Sequence, residues 1–142
     1  MRFHFLAPAP ALATALSLAL TAVAAPAQAQ TAGATGWTLI SVGGRAAEEG
    51  GRIAFSADGA VFGSTGCNRF NGTVVAAPGL VTFNEPFAVT RMACVGALEG
   101  QEAKMLDALK GTAALAYDPV SDQMKLIPES GAPVLGFARA VE

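Results

Sequence analysis

The sequence is poor in the side chains that carry catalysis or bind metals. Its 142 residues include one histidine, two cysteines and only 14% charged residues. The histidine, His4, lies in a segment that we expect to be removed, and a mature chain without histidine excludes Ser-His-Asp and Cys-His catalysis. Two cysteines alone cannot complete a Cys₄ or Cys₂His₂ zinc site. We therefore predict a protein that is not an enzyme and uses no metal or cofactor.

Positive charge is also scarce. Nine basic residues stand against eleven acidic ones, for a net charge of −2, and the basic residues form no run or stripe. Because nucleic-acid binding needs a concentrated basic surface, the prediction is that nucleic acid is not a partner.

Apolar residues are abundant, but they are concentrated at the N-terminus. Hydrophobic residues make up 52% of the chain, and 20 of them lie within residues 1–29. Arg2 is followed by an apolar run and then by Ala27-Gln28-Ala29, the pattern of a cleaved signal peptide. An uncleaved membrane anchor is the alternative, but the most apolar stretch is short and no basic flank follows it.

We thus predict a signal peptide over 1–29, a flexible lead-in over 30–35 and one domain over 36–142. The mature protein is expected to be periplasmic or secreted, with no stable membrane insertion after cleavage. It is also expected to be a monomer whose partner is an unidentified envelope protein or small ligand.

Short apolar runs separated by turn residues predict about eight short strands. Asp58-Gly59 between two alternating runs favours a two-residue type I′ turn, with Ala57 opposite Ala60 and Phe55 opposite Phe62. A second hairpin is predicted from 73–75 and 80–83, a compact loop over 66–72 and a separate strand over 87–92.

One helix is predicted after these strands. Leu98, Glu102, Met105, Leu106 and Leu109 recur at helical spacing, and Gly111 is the expected C-terminal cap. The acidic residues Glu99, Glu102 and Asp107 are interpreted as a solvated face. The fold prediction is mainly β with one α-helix, as a small antiparallel β-barrel or half-barrel plugged by the helix. The predicted core residues are Leu39, Phe55, Phe62, Phe83, Leu109 and Ile127.

Two segments carry the most distinctive sequence. The first is Gly66-Cys67-Asn68-Arg69-Phe70-Asn71-Gly72, and the second is Thr90-Arg91-Met92-Ala93-Cys94. The side chains of Asn68 and Asn71 suit a tight loop, because they can satisfy backbone groups in turns. Arg69 and Arg91 could form one cationic patch for a carboxylate or phosphate. The alternative is that each arginine pairs with a local carboxylate or carbonyl.

The two cysteines stand one in each segment. In an exported chain a Cys67–Cys94 disulfide is favoured, and it would stabilise the fold by about 3.5 kcal/mol in the chain-entropy model. The alternative is a pair of buried free thiols. A redox-active pair is disfavoured, since there is no C-x-x-C motif.

The paired G-C-N-R-x-x-G and T-R-M-x-C segments, with the upstream Trp37-Thr38-Leu39, resemble the META domain family, which includes the bacterial heat-shock protein HslJ. The resemblance implies a small barrel-like β fold with one helix in an envelope or secreted setting. For HslJ it implies a link to heat stress and novobiocin resistance. Well-known members carry a lipid-anchoring cysteine, which this chain lacks at the predicted cleavage site, so no lipid anchor is expected. The family offers no established catalytic residues to carry over.

Three functions follow from these observations. The first is a non-enzymatic envelope protein that binds a protein or an envelope component, with Asn68, Arg69, Asn71 and Arg91 as the binding candidates. The second is a carrier of a small apolar ligand inside the barrel. The third, an enzyme, lacks a recognisable nucleophile or acid–base pair.

Overall fold

The computed structural model describes residues 35–141, which form nine strands and one helix. The strands are β1 (Thr35–Val42), β2 (Arg45–Ala46), β3 (Gly51–Phe55), β4 (Ala60–Thr65), β5 (Arg69–Ala77), β6 (Leu80–Val89), β7 (Gly111–Asp118), β8 (Gln123–Pro128) and β9 (Leu135–Arg139). The helix α1 (Ala97–Ala108) lies between β6 and β7. The predicted signal peptide lies outside the described residues, and of the predicted lead-in only Thr35, the first residue of β1, is described.

The strands close into an antiparallel barrel. Consecutive strands from β3 to β9 pair with one another, and β1 pairs with both β3 and β9. Eight of the strands in residues 35–141 therefore form the ring, while β2 pairs only with β1 at its edge. The prediction of a mainly β fold with one helix is confirmed, and the sheet is a closed barrel rather than a half-barrel. Within 35–141, no helix has the length and apolar character needed to span a membrane.

Alternating side chains fill the barrel. In β8, for example, Met124, Leu126 and Pro128 are buried while the residues between them are exposed. This period of two places one set of side chains inside and the other in solvent. The helix adds Met105, Ala108 and the adjoining Leu109 to the same core cluster. The helix thus packs into the barrel core, as predicted.

The β3–β4 hairpin differs from the predicted register by one residue. Phe55 lies opposite Val61, and Ala54 lies opposite Phe62. The Ser56 N–H donates to the Ala60 carbonyl at 3.0 Å, which leaves a three-residue loop that ends at Gly59 with φ of 86°. A three-residue loop with glycine in the left-handed region is the next commonest hairpin after the predicted two-residue turn.

This register changes the core. A shift of one residue turns a side chain to the opposite face of the sheet, and Phe62 is accordingly 42% exposed. Ile127 is also wrong as a core residue, because it alternates with buried Leu126 and is 40% exposed. Phe55 is half-buried. The remaining predicted core residues, Leu39, Phe83 and Leu109, are confirmed as buried.

Two predicted boundaries are also wrong. Strand β5 begins at Arg69, so only residues 66–68 of the predicted loop connect β4 to β5. The strand predicted over 87–92 continues the preceding one, since β6 runs without interruption to Val89. Within this strand, the Phe87 ring packs edge to face against Phe83 and stacks on Phe70. The ring occupies the space that a Cβ at Gly72 would fill.

The helix end is a smaller correction. Leu109 is the C-cap residue, and its N–H donates to the Met105 carbonyl at 3.2 Å. Gly111, the predicted cap, has φ of 61° and is the first residue of β7. Its left-handed backbone therefore turns the chain from the helix into the sheet.

Candidate functional site

The two distinctive segments meet at the end of the barrel that the helix covers. Residues 66–68 connect β4 to β5, and residues 90–96 connect β6 to α1. Cys67 and Cys94 form a disulfide with a Cα–Cα distance of 5.7 Å, which joins the two segments. The predicted disulfide is confirmed, and the alternative of two free thiols is not what the structure contains.

Asn68 is the centre of this junction and is 1% exposed. Its Oδ1 accepts hydrogen bonds from the Met92 N–H at 2.7 Å and from the Thr90 hydroxyl at 2.9 Å. Its Nδ2 donates to the Met92 carbonyl at 3.0 Å and to Glu102 Oε1 at 3.1 Å. A side-chain amide has two donors and accepts two hydrogen bonds at its oxygen, so this amide is fully used. Asn68 therefore holds the fold and has no group left for a ligand.

Glu102 joins the same network from the helix. Its Oε2 accepts a hydrogen bond from the Thr65 hydroxyl at 2.7 Å, in addition to the bond from Asn68 to Oε1. The interpretation of Glu102 as part of a solvated face is therefore wrong. Glu99 and Asp107 are exposed as predicted, and Asp107 pairs with exposed Lys110 at 3.2 Å.

Gln101 is a site residue that the sequence reasoning missed. Its Oε1 accepts from the Glu48 N–H at 2.7 Å, and its Nε2 donates to the carbonyls of Thr65 at 2.8 Å and Glu48 at 3.3 Å. A signal was present, because Gln101 precedes buried Met105 by four residues and so shares its face of the helix. Like Asn68, Gln101 uses its amide to bind a backbone peptide from a distant loop.

The same end of the barrel contains three potential metal ligands. Ligand atoms of Cys67, Cys94 and Glu102 lie within 4.8 Å of one another. Both sulfurs are bonded to each other in the disulfide, so they are not thiolates. With the disulfide formed, Glu102 is the one conventional metal ligand of this group.

Arg69, Asn71 and Arg91, the other predicted binding residues, are exposed. Arg69 and Asn71 flank inward-facing Phe70 on the outer face of β5. The Thr90 N–H donates to the Arg69 carbonyl, so the segment with Arg91 begins beside Arg69. The two arginines line separate surface hollows, and their joint binding of an anion stays a prediction. Neither forms an ion pair with a residue of 35–141, contrary to the alternative of local carboxylate pairing.

The hollow beside Arg69 is lined by residues of four strands, β1, β3, β4 and β5, and has a volume of about 610 Å³. Arg52 of β3 is paired with Ser64 of β4, which is paired in turn with Arg69 of β5. In the neighbouring row, exposed Phe62 is paired with Asn71. The structure thus adds Arg52 and Phe62 to the predicted residues Arg69 and Asn71. We call the surface formed by Arg52, Phe62, Arg69 and Asn71 the outer hollow.

A second hollow, of about 630 Å³, lies at the other end of the barrel, next to the β3–β4 loop. Its lining includes Phe55, Leu115 and Met124 from three strands and Asp58 from the loop. Phe55 and Leu115 are half-buried. This end of the barrel is therefore an apolar depression with a polar edge.

The seam between β1 and β9 is held near this open end by a charged and aromatic cluster. The Arg139 guanidinium lies 4.7 Å from the ring centre of Trp37, its partner across the seam. Arg139 Nε donates to Asp122 Oδ2 at 2.9 Å, and the Tyr117 hydroxyl donates to Asp122 Oδ1 at 2.7 Å. The hydrogen bond from Arg139, followed by that from Tyr117, lowers the pKa of Asp122 below its ordinary value. This arginine is therefore paired with a carboxylate of the same chain.

Comparison with known proteins gives a family and several similar folds. The family model described as META domain matches residues 28–141. An NMR structure of a protein from Burkholderia xenovorans is 27% identical, with a TM-score of 0.57, and the match covers 76% of this chain and 83% of that protein. A second NMR structure is 24% identical, with a TM-score of 0.59, over 72% of this chain and 86% of the other. No curated protein matches the sequence.

Proposed function

The chain belongs to the META domain family, and from that premise we propose that it is an exported, non-enzymatic protein that acts by binding a protein or an envelope component. Its setting in this proposal is the periplasm or the extracellular space, without a lipid anchor. A role in stress or antibiotic resistance is part of the proposal, through the resemblance to HslJ.

One observation carries the proposal: the polar side chains at the family motif are used to hold the structure together. Asn68 and Gln101 each bind a backbone peptide, and Glu102 accepts hydrogen bonds from Thr65 and Asn68. Within residues 35–141, every buried side-chain nitrogen and oxygen has a hydrogen-bond partner. A catalytic group needs a free lone pair or proton directed at a substrate, whereas the Asn68 amide is fully used and each carboxylate oxygen of Glu102 already accepts a hydrogen bond from within the fold. The exposed residues beside it remain available for binding.

Export is supported by the Cys67–Cys94 disulfide. Disulfides persist in oxidising compartments and are rare in the cytosol. The signal-peptide pattern over 1–29 points the same way.

The test is capture of a partner from bacterial cells that express the full chain with a C-terminal tag. We expect the tagged protein in the periplasmic or secreted fraction, with a mature N-terminus at Gln30 by mass spectrometry. A partner should be recovered after crosslinking in wild type and lost in Arg69→Ala. Arg45→Ala is the matched control, because Arg45 is an exposed arginine on β2, outside the lining of the outer hollow. Cytoplasmic residence, or no reproducible partner together with no stress phenotype on deletion, would contradict the proposal.

A second candidate, the carrier of a small apolar ligand, is favoured by the hollow at the open end with Phe55, Leu115 and Met124. The barrel interior is occupied by fully buried side chains such as Phe70, Leu126 and Phe137, so the ligand would bind at the mouth rather than inside. Native mass spectrometry of freshly purified protein tests this candidate. A retained mass that is lost in Leu115→Glu supports it, whereas the bare polypeptide mass argues against it.

A further inference from the structure

We propose that the outer hollow binds a small organic anion, with its carboxylate or phosphate between Arg52 and Arg69 and a flat apolar part against Phe62. This inference rests on the proposed binding function and specifies the chemical class of ligand and its location. The site differs from the patch expected from the sequence, because it joins Arg69 to Arg52 rather than to Arg91.

The register of the sheet places the two arginines on either side of Ser64. Arg52, Ser64 and Arg69 are direct partners across β3, β4 and β5. Neighbouring strands lie about 4.8 Å apart, so the two arginine backbones are separated by roughly 10 Å. Both side chains are exposed on the outer face, so both guanidinium groups can approach one anion held above Ser64.

Among the residues that the structure describes, no carboxylate neutralises the positive charge of this surface. Neither Arg52 nor Arg69 forms an ion pair with any residue of 35–141, and no Asp or Glu of that range lines the hollow. Arg139, by contrast, is paired with Asp122. On a chain with a net charge of −2, two guanidinium groups in one hollow, neither of them in an ion pair within residues 35–141, complement a carboxylate or phosphate.

An apolar surface lies directly beside these charges. Phe62 belongs to the neighbouring row and is 42% exposed, and its partner on β3 is the small residue Ala54. The lining also includes Gly36, the partner of Ala54 across β1 and β3, so two small residues lie on the outer face next to the ring. An exposed ring next to this flat surface suits a planar apolar group, since aromatic rings stack or meet edge to face. Asn71 adds an amide that can bind polar atoms of the same ligand.

The test is a set of separate titrations of the full mature chain with phenyl phosphate, inorganic phosphate and benzyl alcohol at constant ionic strength. Amide chemical shifts measure the binding of each compound. We expect phenyl phosphate to bind most tightly and to shift residues around Arg52, Phe62 and Arg69. Arg52→Gln and Arg69→Gln should each weaken it about tenfold, the effect of one charge-assisted hydrogen bond. Phe62→Ala should reduce phenyl phosphate binding to the level of inorganic phosphate.

Two matched variants make the test specific. Arg45→Gln and Arg91→Gln each remove an exposed arginine from outside the outer hollow, and we expect neither to change the affinity. Thermal unfolding of every variant confirms that the barrel is intact. The proposal is overturned if Arg52→Gln binds phenyl phosphate like wild type, or if Arg91→Gln weakens it as much as Arg69→Gln. Binding of an acidic peptide without binding of phenyl phosphate would also overturn it and favour a protein partner.

The outcomes separate this inference from the proposed function. If the phenyl phosphate titration fails while the tagged protein still captures an envelope partner, the small-anion site is wrong and the proposed function stands. If phenyl phosphate binds as expected and no partner is captured, the site stands and the role of binding an envelope protein does not.

Discussion

The helix-covered end of the barrel and the outer hollow use polar residues in opposite ways. At the helix-covered end, Asn68 is buried with each of its hydrogen bonds made inside the protein. One residue later, Arg69 is exposed and forms no ion pair within residues 35–141. The chain therefore changes from structural to available side chains at the first residue of β5.

This contrast shows how the distinctive segments work. The disulfide, Asn68 and Glu102 fix the positions of two connections and of the helix, and buried polar networks of this kind rigidify a fold when fully satisfied. Arg69 projects from the rigid strand that begins there. The most distinctive buried residues of the two segments thus stabilise the fold, and the proposed binding residues are exposed on its surface.

The largest effect is expected where the core is broken rather than the surface. Phe83 is buried, and its ring meets Phe87 edge to face at 5.9 Å. Phe83→Ala should lower the free energy of unfolding by about 4 kcal/mol, because it removes buried surface and leaves a cavity. Phe62→Ala should cost less than about 1 kcal/mol, since Phe62 lies on the outer face. Urea denaturation measures both, and equal losses would place Phe62 in the core and contradict the observed register.

The disulfide should give the next largest effect. Cys67→Ala with Cys94→Ala opens a loop closed across a sequence separation of 27 residues. The expected loss of stability is about 3.5 kcal/mol in the chain-entropy model. Thiol titration of the denatured wild type should find no reactive thiol, whereas two thiols in exported material would rule the disulfide out. A double variant as stable as wild type would show that the hydrogen bonds hold this end of the barrel without it.

Asn68 and Asn71 sharpen the comparison further, because they are the same residue type three positions apart. Asn68→Ala should lower the free energy of unfolding by about 3 kcal/mol, since it removes the hydrogen bonds of a buried side chain to the N–H and carbonyl of Met92 and to Glu102 Oε1. Asn71→Ala should change it by less than about 0.5 kcal/mol, as expected for an exposed side chain. Chemical denaturation of the two variants is the measurement. Similar losses of unfolding free energy for the two variants would contradict the distinction between a structural Asn68 and a surface Asn71.

The sequence predicted much of the fold and less of the site. Alternating apolar residues and the Asp58-Gly59 turn correctly located the β3–β4 hairpin, but a two-residue and a three-residue loop share these signals and differ by one position in register. Because of this one-residue difference in register, Phe62 lies on the outer face and not in the core, where it was predicted. The outer hollow, which includes Phe62, was therefore not predicted. Local pattern could not resolve the choice, since it depends on which residues the closed barrel buries.

The roles of the polar residues depend on partners far along the chain. Asn68 and Asn71 have the same local turn chemistry, yet Asn68 is buried because Met92, 24 residues later, lies against it. Gln101 reaches Glu48 across 53 residues. The cysteine pairing was predictable, because two cysteines allow one intramolecular disulfide and the signal-peptide pattern predicted an oxidising compartment.

Asp122 provides the smallest predicted effect and tests the contrast between Arg139, which is paired, and Arg69, which forms no ion pair within residues 35–141. The hydrogen bonds from Arg139 and then Tyr117 lower its pKa, so the pair contributes stability above the unfolded-state pKa. That contribution is lost as the pH falls through the lowered folded-state pKa, below about pH 3.9. Asp122→Asn keeps the backbone at φ of 51°, which asparagine tolerates, and should lower the urea midpoint at pH 7. The difference in urea midpoint between Asp122→Asn and wild type should become smaller towards pH 3. A difference that does not change with pH would show that the Asp122 charge contributes no stability.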